Sequence, residues 1–335
     1  MIEILTTGAA NTVQDLGRFG YLDAGVGRSG AMDGLALELA NLLLGNAANA
    51  AGLEVTLFPF RLKVHVPCAI AVTGADCPVT LGGRAFPSWW VLPAGPGDVL
   101  EVGLPRSGAR ASLAFSGGID VPVVLGSRST DLKSGWGGLE GRGLNRGDRL
   151  APGNRSFPGF ADLPAGFGMD PTSVRAPLSG VDADEIGVRV LPSAEYLAFT
   201  DEARAHLAGA AWEVSAEANR QGYRLVGPEL AMKEKRELFS HGIMPGTVQV
   251  PPSGQPIIQL AEANTCGGYP KIANVIEADL WRLAQAAVGA RLRFIETTRE
   301  EAITALRAQR AAIAGIAATA ALVRKDKKLN DRGNG

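Results

Sequence analysis

Between residues 52 and 150 a turn signal recurs about every ten residues, and this rhythm restricts the fold more than any other feature. Alternating or apolar runs at 61–66, 70–73, 79–81, 99–102 and 111–115 are separated by Gly-Ala-Asp, Leu-Gly-Gly-Arg and Pro-Ala-Gly-Pro-Gly-Asp. Short strands at such spacing build a closed β-barrel or a sandwich. Composition supplies the means: 43 of the 335 residues are glycine and 20 are proline. Glycine accepts positive φ and proline presets a turn, so many short elements are joined tightly.

The second half carries the same grammar. Residues 247–250 and 256–260 read as strands flanking the turn Pro251-Pro252-Ser253-Gly254. After a glycine pair, Ile276, Leu280, Leu283 and Ala284 fall on one helical face. Residues 200–207 form a short helix capped by Thr200, with Asp201 and Glu202 in its first turn. An earlier helix starts at Ser29 or Asp33, carries Leu35, Leu39, Leu42 and Leu43, and stops at Gly45-Asn46. Residues 151–177 follow neither period and read as a connection. The expected domains are a β-barrel-like unit over 1–160, a linker over 161–180 and a second barrel over 181–297. A C-terminal helix and disordered tail occupy 298–335, with the polar run from 325 disordered.

Formal net charge is −1, which argues against nucleic acid as a partner. Hydrophobic residues make up 46% and charged residues 20%, the balance of a globular chain. Cys68, Cys77 and Cys266 show no C-x-x-C spacing and read as free thiols of a reducing compartment. The start lacks the pattern of a signal peptide, and apolar residues 311–323 are too few to span a membrane. The expected location is cytoplasmic, with no membrane partner. His65, Cys68 and Cys77 read as core packing, so no metal site is expected. There is no Walker A, no H-E-x-x-H and no dinucleotide fingerprint. Ser127 and Ser129 lack the G-x-S-x-G setting of a nucleophile.

Several polar loops remain as candidates. Gln14, Asp15, Arg18 and Asp33 place an amide, two carboxylates and a guanidinium close together in sequence. Arg18 either holds an anion or braces its loop through Asp15 or Asp33. Ser127 and Arg128 lie in a hydroxyl- and glycine-rich stretch that suits an anion or simply caps a turn. Arg220 sits at a turn, and Gln249 and Gln255 bracket the Pro-Pro-Ser-Gly turn. Asn264, Thr265, Gly267, Gly268, Tyr269 and Lys271 form a loop that either binds a ligand through its glycine amides or connects two strands. Ala231-Met232-Lys233 matches the start of a biotin attachment sequence, but the charged run from Glu234 to Glu237 follows it, so no covalently attached biotin is expected.

Gln14 to Tyr21 (QDLGRFGY), Ser29 to Asp33 (SGAMD), Ser116 to Pro122 (SGGIDVP), Leu125 to Asp131 (LGSRSTD), Asn219 to Leu225 (NRQGYRL), Gly246 to Ile257 (GTVQVPPSGQPI) and Thr265 to Lys271 (TCGGYPK) occur in one order. Together they resemble the biotin-dependent carboxyltransferase family, which includes the 5-oxoprolinase C subunits, the allophanate hydrolase subunit 2 group and KipA-like proteins. The resemblance implies a mainly β fold with peripheral helices: two β-barrel units, the C-terminal one cyclophilin-like. It implies a C subunit of an ATP-dependent 5-oxoprolinase that opens 5-oxoproline to L-glutamate. Its partners would be a B subunit (KipI-like) and an A subunit, its substrate a small lactam or amide, and its cofactor ATP with Mg2+, held by this chain or by a partner. Arg18, Asp33 and Lys271 would be catalytic. Gln14, Asp15, Ser127, Arg128, Arg220, Gln249, Gln255, Asn264, Thr265, Gly267, Gly268 and Tyr269 would bind substrate. Two alternatives are a carboxyltransferase subunit acting on urea or a related amide with carboxybiotin, and a non-catalytic regulator binding a kinase-inhibitor-like partner. The chain departs from the family at Glu262-Ala263-Asn264-Thr265-Cys266, where relatives carry Asp and then Gln-Thr-Thr.

Overall fold

The computed structural model describes residues 1–153, 166–234 and 238–332, with side chains to residue 324. Part of the expected linker (161–165), Lys235-Arg236-Glu237 of the charged run, and residues 333–335 lie outside the described residues. Contacts divide the chain into two units, each assembled from separated stretches. The first comprises Met1–Arg18, Asp33–Arg175 and Arg310–Gly335; the second comprises Phe19–Met32 and Ala176–Gln309.

Of the two forms that turn spacing allows, the first unit takes two six-stranded sheets. One runs Arg149–Leu150, Ile2–Thr6, Phe60–Val64, Val99–Val102, Val79–Leu81, Arg84–Phe86. The other runs Phe167–Gly168, Trp90–Ala94, Cys68–Asp76, Ser107–Phe115, Gly52–Val55, Thr12–Gln14. Period-two alternation sends Ile2, Ile4, Leu62 and Val64 from the first sheet against Leu53, Ile70, Val72 and Leu113 from the second. The strand Cys68–Asp76 is buried on both faces. Its other face carries the small residues Ala69 and Ala71, which admit Ala40, Leu43 and Leu44 of helix α1 (Gly34–Leu44) at close range.

Asp33 is the cap of α1: its side chain accepts the Ala36 N–H at 3.0 Å. Gly45, at φ 74°, closes the other end in the left-handed conformation that favours glycine. Arg324 donates to the Leu42 and Leu43 carbonyls at 2.9 and 2.6 Å, placing a cation at the negative end of α1.

The second unit closes into a seven-stranded barrel, in the order Glu185–Pro192, Lys271–Val275, Thr247–Gln249, Ile257–Gln259, Gly222–Val226, Ala211–Val214, Arg291–Glu296. Val188, Trp212, Tyr223, Val248, Ile258, Ile272 and Phe294 fill its core, and Met32 joins them. Helix α2 (Asp201–Gly209) is capped by Thr200 as the sequence indicates, its hydroxyl accepting the Ala203 N–H at 3.1 Å. The stretch expected as one helix after Lys271 divides into a 3-10 turn, Glu277–Asp279, and helix α3 (Leu280–Ala284).

Helix α4 (Arg299–Arg332) runs on through the polar stretch expected to be a disordered tail. Ile313, Ile316 and Ala320 bury its apolar side in the first unit. Over Arg299–Arg324 it is the one helix among the described residues long and apolar enough to cross a membrane, its most apolar 18-residue stretch having a mean hydropathy of 1.2. Much of that apolarity is alanine rather than leucine or isoleucine.

Barrel closure depends on one parallel pair, Glu185–Pro192 with Arg291–Glu296. Glu185 begins it and is held by Arg293, whose Nε and Nη2 reach its two oxygens at 2.7 and 2.9 Å, and by Arg291 at 3.0 Å. The Arg293 hydrogen bonds hold the Glu185 carboxyl below the usual range against the opposing effect of burial. Because the folded pKa lies below the unfolded one, this contribution is present above the ordinary glutamate range. It is lost as pH falls through the folded value. Glu185→Gln is expected to lower stability at neutral pH by about 1–2 kcal/mol, half-exposed Arg291 adding little. Urea unfolding of both proteins at pH 7 and pH 4 checks this: the difference should shrink at the lower pH.

Candidate active-site loops and their geometry

The first loop cluster is organised by the buried Asp15 carboxylate. Its Oδ1 accepts from the Ser127 hydroxyl at 2.6 Å, from the Ser129 hydroxyl and from the Gly17 N–H at 2.8 Å. Oδ2 accepts the Arg128 N–H at 2.6 Å. The Ser129 hydroxyl also meets the Asp15 N–H at 2.9 Å. These bonds satisfy a desolvated carboxylate and lock residues 15–17 to 127–129. Gln14 donates to Thr12 and to the Thr130 carbonyl at 2.9 and 3.1 Å, bracing the same contact.

Arg18 donates to the Ser129 carbonyl, and its guanidinium lies 4.4 Å from the centre of the Trp136 ring. Asp33 pairs with Arg175 while capping α1. The ion pair expected from Arg18 to Asp15 or Asp33 is therefore replaced by other partners. Arg18 and Asp33, the expected catalytic pair of this loop, are both buried. Arg128 is half-exposed, with its Nε on the Val121 carbonyl at 2.9 Å. With Asp15, Asn46, Asn49 and Gly117 it lines an open depression of about 420 Å³.

The second cluster surrounds Lys271, which is 5% exposed. Lys271 and Gln249 are cross-strand partners at a β-bulge. The Lys271 ammonium meets His241 Nε2 and lies 3.4 Å from the Gly267 carbonyl. Its backbone N–H donates to Glu195 at 3.0 Å, and the other Glu195 oxygen is 3.6 Å from His241 Nε2. His241 Nδ1 lies 3.0 Å from the Phe239 carbonyl, which assigns the proton to Nδ1 and leaves Nε2 to accept from the ammonium. Burial pulls the Lys271 pKa down from its ordinary value, against the opposing charge of Glu195. Gln249 accepts from Gln259 at 2.9 Å and donates to the Tyr269 carbonyl at 3.4 Å, extending the polar row across three strands.

Gly267 and Gly268 serve this packing directly. A Cβ on Gly267 would stand 2.7 Å from Ile243 Cδ1 and 3.0 Å from Gln249 Nε2. One on Gly268 would stand 2.9 Å from the Leu238 carbonyl oxygen. The space that the glycines leave is filled by residues 238–243 of the same chain. Asn264 and Tyr269 are exposed beside them and Thr265 is half-buried.

Arg220 is bound in a separate arrangement, with Nε to Glu262 at 2.7 Å and Nη2 to the Gly30 carbonyl at 2.6 Å. It thereby fixes the Phe19–Met32 segment within the second unit. Gln255, expected to meet substrate, braces two strands through both amide atoms: it accepts the Gly227 N–H at 2.9 Å and donates to the Gly227 carbonyl at 3.1 Å. Glu195 and His241 were not among the expected site residues, yet they surround the Lys271 ammonium and backbone. His241 is one of only three histidines and precedes the Gly246-to-Lys271 motifs, a signal that could have raised it.

A family model described as carboxyltransferase domain, subdomain A and B, matches residues 24–296. The chain belongs to this family. It is 43% identical over 305 residues to the C subunit of the Escherichia coli 5-oxoprolinase, covering 91% of this chain and 94% of that protein. The C subunit of the Haemophilus influenzae 5-oxoprolinase is 40% identical over 302 residues, covering 90% and 93%. The crystal structure of the K. lactis urea amidolyase superposes with a TM-score of 0.84 at 30% identity, over 94% of this chain and 20% of that one.

Within this carboxyltransferase-domain chain, the two clusters offer different chemistry. The Asp15 carboxylate is satisfied by its own hydrogen bonds and holds loops in place. The Lys271 cluster brings together a cation, an imidazole and a carboxylate. Among the described residues no group of three or more His, Cys, Asp or Glu side chains is placed to hold a metal ion. Gly268→Ala is expected to destabilise the protein by about 1–3 kcal/mol through overpacking against residue 238. A thermal melt unchanged from wild type would contradict the close approach.

Proposed function

We propose that this chain is the C subunit of a 5-oxoprolinase, acting with A and B subunits to open 5-oxoproline to L-glutamate with hydrolysis of ATP. The supporting observation is the two-way coverage: identity of 43% and 40% extends over nine-tenths or more of both this chain and the named subunits. An unstrained five-membered lactam resists water. Phosphorylating its oxygen makes a better electrophile, and the negative charge that develops needs cations and N–H donors around it.

In this reading Lys271 supplies the site's buried cation, and Arg128 offers a half-exposed guanidinium to a carboxylate or phosphate. Gln14, Asp15, Ser127, Arg18 and Asp33 belong to the framework that holds Arg128 and α1 in place. ATP with Mg2+ is bound by the complex, held by this chain or by a partner subunit. The enzyme works in the cytoplasm, where Cys68, Cys77 and Cys266 stay free thiols. Burial pushes the Cys68 and Cys77 thiols up to about 11 and about 12, so neither is a ready nucleophile.

The test is glutamate release from 5-oxoproline and ATP by the A and B subunits with and without this chain. Activity is expected only when the chain is present, and Lys271→Met should lower kcat by about 100-fold. Full activity without the chain, or none in a complex that assembles, contradicts the reading. Carboxyl transfer to urea or a related amide is the second reading, favoured by the 0.84 TM-score to the urea amidolyase. It requires carboxybiotin carried by another chain, and bicarbonate-dependent carboxylation of urea would support it.

A further inference from the structure

A cavity of about 470 Å³ opens in the second unit, walled by Glu195, Leu197, Met232, Lys233 and Leu238 among others. Its size suits a small ligand, and its wall combines apolar side chains with charged ones. Glu195 is one of these. The same carboxylate takes the Lys271 N–H and lies 3.6 Å from His241 Nε2, so one side chain belongs to both the cavity wall and the titratable cluster.

Lys233 stands on the wall as well. Its segment is fixed along residues 198–200: the Thr200 N–H donates to the Ala231 carbonyl at 3.0 Å, Phe199 bridges Met232, and the Lys233 N–H donates to the Ala198 carbonyl at 2.9 Å. The Ala231-Met232-Lys233 sequence is therefore strand-like wall, not the tip of a hairpin. Among the described residues the Lys233 ammonium pairs with Asp201 at 4.0 Å, both side chains largely in water. Such a pairing is weak and yields readily to a ligand anion. Glu234 is the other charged group on the wall.

We infer that this cavity binds a small cyclic amide bearing a carboxylate. Lys233 meets the carboxylate, Leu197, Met232 and Leu238 cover the ring carbons, and Glu195 faces the amide. This rests on the oxoprolinase reading for the identity of the substrate but not for the existence of the site. Glu195 is the catalytic residue in this arrangement. Once ATP has phosphorylated the amide oxygen and ADP has left, Glu195 takes a proton from the water that adds to the amide carbon and returns it to the ring nitrogen as the C–N bond breaks. The acyl phosphate so formed is hydrolysed by a second water to the carboxylate and inorganic phosphate. His241 and Lys271 are positioning residues for Glu195: they hold the carboxylate in place.

The experiment uses the complete complex with 5-oxoproline and ATP, measuring kcat and KM for wild type, Glu195→Gln and Lys233→Met, with thermal midpoints to confirm folding. Binding of 5-oxoproline without ATP is followed by calorimetry. Lys233→Met should raise KM and weaken binding about ten-fold at little change in kcat, the loss of one charge-assisted hydrogen bond. Glu195→Gln should lower kcat by about 100-fold with KM within a few-fold of wild type. Folded variants with unchanged kcat, KM and binding overturn the inference while leaving the oxoprolinase reading intact. A wild-type complex that releases no glutamate, yet binds 5-oxoproline in a Lys233-dependent manner, sinks the reading and supports the site. Absence of binding by the wild-type complex overturns the site.

Discussion

A lysine ammonium carried in the wall of a closed barrel sets the terms for the second unit. A buried cation is costly unless it is hydrogen-bonded and partly neutralised. Here the Gly267 carbonyl, His241 Nε2 and the nearby Glu195 carboxylate share that task. Each partner comes from a different stretch of chain, so the loops follow from the charge. Residues 238–243 must fold inward to bring His241, and they reach that position only because residues 267 and 268 have no side chain. The strand pair His241–Gly242 with Cys266–Gly267 is the backbone expression of the same contact.

The first unit answers a comparable problem with a carboxylate. Asp15 is desolvated, and four donors from its own turn and from residues 127–129 satisfy it. The result is a rigid junction that leaves Arg128 facing an open depression. Asp33 does similar work at the start of α1, where cap and ion pair coincide on one side chain. Fully buried acids of this kind stabilise local geometry, which is why polar residues grouped in sequence are framework as often as they are site.

Much of the fold could be read from the sequence because it depends on local chemistry. Turn residues at regular spacing marked the short strands, Thr200 and one of two offered caps marked helix starts, and Pro251 to Gly254 marked the hairpin between Thr247–Gln249 and Ile257–Gln259. Pairings over long separations were not legible. Arg175 lies 142 residues from Asp33, and Ser129 lies 111 from Arg18, so nothing near either residue named its partner. Glu195 and His241 were hidden in the same way, 76 and 30 residues from Lys271. The role of Gln255 in bracing Gly227 was not legible either, because an amide beside a turn serves equally to bind a ligand or to stand in for backbone hydrogen bonds.

The desolvated cation at Lys271 can be observed without assaying any reaction. Carbon-13 labelling of lysine side chains, with Lys271→Arg used for assignment, follows the ε-carbon of each lysine as pH rises. The Lys271 resonance is expected to titrate clearly below the exposed lysines, because burial disfavours its charged form. A Lys271 resonance that titrates together with the surface lysines would place the ammonium in water and contradict the barrel-wall site.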